Sequence, residues 1–329
     1  MKIKTTYWLA LISLFFACEK KEIPLPPHQP GTYERVVIPI GYPYNNQVFY
    51  NCNTNKIVSS NKKYDWDLAF DCAENGYVIR LNTAKGMLAA STNSTIFDSI
   101  YNINNLVWQW DQSDGNKNYT ALGNWFQISN GTPSNIVYII NRQFNENGNS
   151  LGYKKVIFTG LQNDVYSFKY SDLNGQNEHF FQIKKDKNYN HVYFSFNNGG
   201  EQVTIEPPKT EWDLLFTNYQ HKFAELEMPF VITGCLINSN NGVEAAKDSL
   251  RNFYEIKLND INLFSFSNEW DKIGYDWKIR NNQDNSFTIH PKLFYLVKSH
   301  NGIYFKIKFI DFYNSSGEKG YPTFEIQRL

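Results

Sequence analysis

The stretch "TNYQHKFAELEMP" (217–229) brings His221 and Met228 close together in a sequence that has six His and three Met. Imidazole and thioether are side chains that ligate porphyrin-bound iron. Tyr219 and Phe223 of the same stretch are placed to cover a planar ligand. The plainer reading is that Met228 and Phe223 pack a loop onto a sheet while His221 faces solvent, the commoner fate of such residues. Both readings stand at this level. His28, His179, His191, His290 and His300 form no close metal-binding pair, and no Gly-x-Ser-x-Gly elbow occurs. Asp and Glu are plentiful, but no signature marks a hydrolytic carboxylate pair. No catalytic or metal-binding residue is assigned, and the expectation is a binding protein, not an enzyme.

Four cysteines offer further chemistry. Cys18 ends "MKIKTTYWLALISLFFAC", which has Lys2 and Lys4 ahead of an apolar run too short to span a bilayer as a mature helix. This is a secretory signal (1–18), and Ala17-Cys18 resembles a bacterial lipobox, which makes Cys18 the expected lipidation site. Residues 19–32 follow as a tether with Pro24, Pro26, Pro27 and Pro30. Pro-rich chain extends by ~3.1 Å per residue, so a dozen residues hold the body roughly 35–40 Å from a membrane. Export permits disulfides. Cys52 and Cys72 lie on neighbouring predicted strands, and a Cys52–Cys72 bridge is the preferred pairing, with Cys235 left as a buried free thiol.

The elements that must position these residues are strands. Lys and Arg (32) balance Asp and Glu (32), so the chain lacks the basic excess of a nucleic-acid binder. Aromatic residues make up 17%, which suits pleated, half-buried surfaces. No long segment has a 3.6-residue apolar period, which excludes Rossmann, P-loop and TIM-barrel folds. The expected class is all-β, with antiparallel sheets, hairpins and little helix.

"YDWDLAF" (64–70) returns as "TEWDLLF" (210–216). An aromatic hairpin precedes each, "VFYNCNTNKIVSSNKK" and "VYFSFNNGGEQVTIEPPK". "YVIRLN" parallels "VITGCLIN", a later Asn-Gly hairpin recurs at 137–160 and 293–312, and "VYSFKYSDL" parallels "YPTFEIQRL". Ordered landmarks at a near-constant offset indicate duplication of a β unit. The expected units are 33–185 and 186–329, with a seam in the polar stretch 175–190. Alternation puts Trp66, Leu68 and Phe70 on one strand face and Asp67 on the other. A repeated strand Asp is read as an acceptor of backbone hydrogen bonds.

At "YDWDLAF" and "VIRLN", and in the run "IGYDWK", "LFYLVK", "GIYFKIKFIDFY" and "GEKGYPTFEIQRL", the chain resembles the HmuY-like family of bacterial lipoproteins. The resemblance implies an exported all-β protein, lipid-anchored at the outer membrane on its periplasmic or cell-surface side. It also implies haem as cofactor, a role in iron acquisition and an outer-membrane haem receptor as partner. Haem-binding members present His or Met axial ligands from loops between the Trp-Asp-Leu region and the late hairpin. Here the second copy, from Asn238 to Tyr275, has neither, and the first has only Met87. Two functions follow: binding of haem or a related tetrapyrrole, with His221 and Met228 as candidate ligands, or an accessory module that keeps the fold for another ligand or a partner protein.

Overall fold

The computed structural model describes residues 30–329; Cys18, His28 and most of the tether lie outside them. The first half of the chain forms β1 (Glu34–Val37), β2 (Asn46–Asn51), β3 (Lys56–Lys62), β4 (Leu68–Asp71), β5 (Ile79–Leu81) and β6 (Leu88–Ser91). It continues with β7 (Phe126–Gln127), β8 (Thr132–Pro133), β9 (Val137–Asn141), β10 (Tyr153–Gln162) and β11 (Val165–Ser171). The second half forms β12 (His179–Lys184), β13 (His191–Ser195), β14 (Glu201–Val203), β15 (Leu214–His221), β16 (Phe230–Ile237) and β17 (Glu244–Asp248). It ends with β18 (Lys278–Arg280), β19 (Phe287–Ile289), β20 (Phe294–Lys298), β21 (Tyr304–Tyr313) and β22 (Lys319–Arg328). Among the described residues, helix is confined to short 3-10 turns. The chain is all-β.

Each strand of the first half has its counterpart eleven strands later. The sheet β12-β11-β10-β9-β6 is matched by β1-β22-β21-β20-β17, the sheet β14-β13-β4-β5 by β3-β2-β15-β16, and the pair β7-β8 by β18-β19. All pairings are antiparallel. The duplication therefore holds strand by strand.

The folded units do not follow the expected division at 185. The first three strands of each repeat join the sheets of the other repeat: β1 pairs β22 and β2 pairs β15, while β12 pairs β11 and β13 pairs β4. One unit consists of β4–β14. The other is built from β1–β3 together with β15–β22, and the first unit is inserted between them. Strand order and link length explain the exchange. Because β2 runs antiparallel to both β3 and β15, the strands β3 and β15 are parallel. A parallel return needs a connection of about a dozen residues or more. Only residues 63–67 separate β3 from its own repeat's β4. The β2–β3 hairpin is thereby denied its own Trp-Asp-Leu strand and takes the other copy's.

Each unit has its own core. Val48, Tyr50, Phe216, Tyr295, Phe309 and Phe324 belong to one, and Leu68, Phe70, Phe158, Phe168 and Phe194 to the other. A third cluster, with Phe49, Trp66, Tyr193 and Trp212, joins residues of the two four-stranded sheets. The tryptophans thus face away from Leu68 and Phe70, and from Leu214 and Phe216, contrary to strand alternation. Trp66 and Trp212 precede their strands, where the chain bends and the two-residue period no longer holds. Trp66 meets Tyr193 edge-on at 4.9 Å and Trp212 meets Phe49 at 5.0 Å. Edge-to-face pairs of this kind add ~0.5–1.5 kcal/mol beyond their burial.

Both Trp-Asp-Leu aspartates accept backbone hydrogen bonds. Asp67 Oδ2 takes the amide of Phe196 at 2.7 Å, and Asp213 Oδ2 takes that of Cys52 at 2.8 Å. Asn82 and Asn238 hold equivalent places: each amide group donates to the carbonyl of the preceding Trp and to that of Lys63 or Lys209.

Candidate ligand pocket

The unit built from β1–β3 and β15–β22 carries a cavity of about 510 Å³, within the ~300–1,000 Å³ usual for small-molecule sites. One wall comes from the β15–β16 hairpin, with Phe223, Phe230 and Val231, and another from β18–β19 and β21, with Lys278, Phe287 and Phe312. Tyr44, Tyr275, Arg280 and Lys319 complete the features that matter chemically. Gly234 sets the spacing between the walls. A Cβ there would meet the Gly274 carbonyl oxygen at 2.4 Å, so only glycine lets the segment before Tyr275 dock on β16. Two 2.9 Å hydrogen bonds between Cys235 and Gly274 fix that docking. Just beyond it, Trp277 stacks on Phe309 with centroids 4.1 Å apart, which seats Lys278.

The pocket is apolar in its walls and cationic in its polar groups. Phe287 and Phe312 meet edge-on at 5.1 Å, and Tyr44 lies 5.8 Å from Phe312. Lys278 is buried, Lys319 half-buried and Arg280 exposed, so the three cations run from the inner end to the rim. Lys278 Nζ donates to the Thr233 carbonyl and lies over the rings of Trp277 (4.3 Å), Phe312 (5.2 Å) and Phe287 (5.8 Å). Burial pushes its pKa down to about 7, and Asp276 only partly restores it. At the rim, Lys319 Nζ donates to the Asn285 carbonyl, and Arg280 to the Asn285 side chain. Among the described residues no Asp or Glu lines the cavity. In a chain whose charges balance, three cations around aromatic walls favour a planar ligand with acid groups.

The residues expected to ligate iron lie elsewhere. His221 ends β15, opposite Phe230, with its Nδ1 3.4 Å from Ser113 Oγ and 3.8 Å from Asp271 Oδ2. Ser113 belongs to the inserted unit, so His221 serves the junction between units. Met228 is exposed in the following turn. Neither lines the pocket. Phe223 does, whereas Tyr219 is buried and cannot cover a ligand without leaving its core. Met87 is fully buried in the inserted unit's core. His191 is buried beside Glu206.

The expected Cys52–Cys72 bridge is absent. Cys52, Cys72 and Cys235 are free and buried. Strand exchange gives the reason: Cys52 joins the core that contains Cys235, and Cys72 joins the other. Among the described residues no cluster of His, Cys, Asp and Glu could hold a metal.

Sequence reasoning missed Lys278, Arg280 and Lys319. The signal was in the repeat. Trp125, beside β7, occupies the place of Trp277, and Phe126 and Ile128 stand where the second copy has Lys278 and Arg280. A charge gained on one copy of a duplicated apolar hairpin marks a copy-specific role.

Fold and pocket together define an all-β protein made of two exchanged units, one of which carries an aromatic, cationic cavity. Residues 235–326 match the family described as HmuY protein, and over that stretch the chain is HmuY-like. The match contains Lys278, Arg280, Phe287, Phe312 and Lys319 of the pocket. No curated protein matches the sequence. Among solved structures, the chain is similar to the apo HmuY analogue TFO of Tannerella forsythia at 11% identity and a TM-score of 0.27, over 92% of this chain and 98% of that one. It is also similar to apo PinO of Porphyromonas gingivitis at 16% identity and a TM-score of 0.20, over 53% and 95% of the respective chains. Scores this low support no transfer of role.

Proposed function

We propose that this protein is an exported, lipid-anchored binding protein whose pocket in the unit of β1–β3 and β15–β22 holds haem or a related tetrapyrrole for iron acquisition. The observation that carries the reading is a 510 Å³ aromatic cavity with Lys278, Arg280 and Lys319 and, among the described residues, no acid in its lining. A tetrapyrrole presents a flat apolar body and carboxylate side groups, and both halves of that description fit the walls. The donor set does not fit paired axial ligation, because among the described residues no His, Met or Cys lines the cavity. Retention therefore depends on burial of the ring and pairing of its acid groups, not on the metal. Export, the anchor at Cys18 and delivery to an outer-membrane receptor come from the N-terminal signal and the family resemblance.

Parallel titrations with haem and metal-free protoporphyrin IX, followed by absorbance and tryptophan quenching, test the reading. The expected result is binding of both with affinities within about tenfold, since the metal contributes little. A folded protein that takes up neither ligand excludes it. The lack of axial donors also favours the accessory-module reading, in which the same pocket takes another aromatic acid. That reading gains if both porphyrins fail while a smaller aromatic acid binds. For the anchor, Cys18→Ser is expected to move the protein from the detergent phase to the aqueous phase.

A further inference from the structure

An ammonium removed from water without an anionic partner either loses its proton or acquires a counter-charge. Lys278 is held in this state. Its Nζ reaches one carbonyl, that of Thr233, and otherwise faces the rings of Trp277, Phe287 and Phe312. The other titratable groups of the cavity are the phenols of Tyr44 and Tyr275 and the cations Arg280 and Lys319. Asp276, the acid that acts on Lys278, is already taken by Lys247 and by the hydroxyl of Tyr295. Burial raises Tyr44 to about 12, so its phenol stays neutral and supplies no counter-charge.

We propose that Lys278 is the inner anchor for a ligand carboxylate, with Arg280 and Lys319 receiving a second acid group at the mouth, so that binding of an aromatic acid carries a proton into the pocket. This rests on the reading of the cavity as the ligand site and specifies how the ligand enters: acid group first. A carboxylate beside Nζ favours the ammonium and raises its pKa above the value of about 7 in the free protein. The sign follows from linkage. Below pH 7, down to the range where the ligand's own carboxyl takes up a proton, Lys278 is already charged and affinity is flat. Above it, each pH unit costs up to about tenfold in affinity until the pKa of the complex is reached.

The test uses 1-pyrenebutyrate and its neutral methyl ester as fluorescent probes, with wild-type protein, Lys278→Met and Lys278→Arg. Methionine keeps an unbranched apolar stem among the rings, and thermal melting checks that it folds. The wild type is expected to hold the acid at least about tenfold tighter than the ester at pH 7, and Lys278→Met to bring the two within about twofold. Lys278→Arg is expected to keep the discrimination but lose the affinity decline above pH 7. Calorimetry of the wild type at pH 8, in two buffers of different ionisation heat, should show uptake of close to one proton. Discrimination that survives in Lys278→Met, or no proton uptake by the wild type, overturns the inference. Binding of pyrenebutyrate with this pattern alongside failure of both porphyrins leaves Lys278 as anchor and removes the tetrapyrrole reading. Porphyrin binding without acid–ester discrimination does the reverse.

Discussion

Asp213 reaches across the repeat boundary to Cys52, its Oδ2 accepting the Cys52 amide at 2.8 Å. Asp67 does the same in the other direction with Phe196 at 2.7 Å. Each aspartate of the duplicated motif thus fastens a strand that the other copy contributed. The two are differently supported. Asp67 is fully buried against Lys85 and Arg142, the latter at 3.0 Å. Burial raises its pKa, but the two cations outweigh burial and hold the carboxyl below its ordinary value. Asp213 has only His300, 3.5 Å away, and burial leaves its pKa raised.

Removing the Asp67 charge strands two buried cations. Asp67→Asn is expected to cost about 3–5 kcal/mol, as in other broken buried pairs. Asp213→Asn strands no Lys or Arg and is expected to cost about 1–2 kcal/mol. Urea unfolding at pH 7 measures both. Because Asp67 has a lowered pKa in the native state, its contribution is present above the ordinary carboxylate pKa of ~3.9 and is lost as pH falls through the native value. The Asp67→Asn variant should therefore lose stability less steeply than wild type on acidification below pH 4.

Strand exchange predicts which fragments fold. Residues 64–206 contain every strand of the inserted unit, β4–β14, and should give a cooperative thermal transition and dispersed amide resonances. Residues 33–185 match the sequence repeat more closely, yet they leave β1–β3 without β15 and β22 and deprive β4 of β13. That fragment should aggregate or show no cooperative transition. Equal cooperativity in the two would mean that the exchange does not govern folding.

The three body cysteines should be silent in the native protein. Burial pushes the Cys72 thiol up to about 11 and raises Cys52 and Cys235 well above the usual range. A thiol reagent at pH 7.5 is expected to label none of them within the dead time of mixing, and all three after denaturation without reductant. Fewer than three labelled thiols would reveal a disulfide.

His221 and Met228 provide the complementary test of the pocket. His221→Ala and Met228→Ala should leave porphyrin affinity within about twofold of wild type, since neither lines the cavity. Phe312→Ala, which removes a wall also packed into the core, should weaken binding at least about tenfold and lower the melting temperature. Loss of binding in either loop variant with Phe312→Ala unaffected would move the site to the β15–β16 turn.

The sequence alone determined the class and the duplication, because both depend on local patterns. Aromatic strand runs, Asn-Gly turns and the recurring Trp-Asp-Leu motif are read residue by residue, and Asp67 and Asp213 accept backbone amides as expected of a repeated Asp, from the bend just ahead of each strand. The exchange was also latent in the sequence: residues 63–67 are too few for a parallel return. Seeing that required knowing that β2 lies between β3 and the Trp-Asp-Leu strand, which is a tertiary fact. Once the exchange is in place, Cys52 and Cys72 fall in different cores although they are neighbours in sequence. His221 is turned towards Ser113 of the other unit, and Met228 is left in solvent. The pocket is likewise tertiary. Tyr44, Phe230, Lys278, Phe312 and Lys319 come from segments far apart in the chain, and the charge state of Lys278 depends on three rings and one carbonyl that only folding gathers around it.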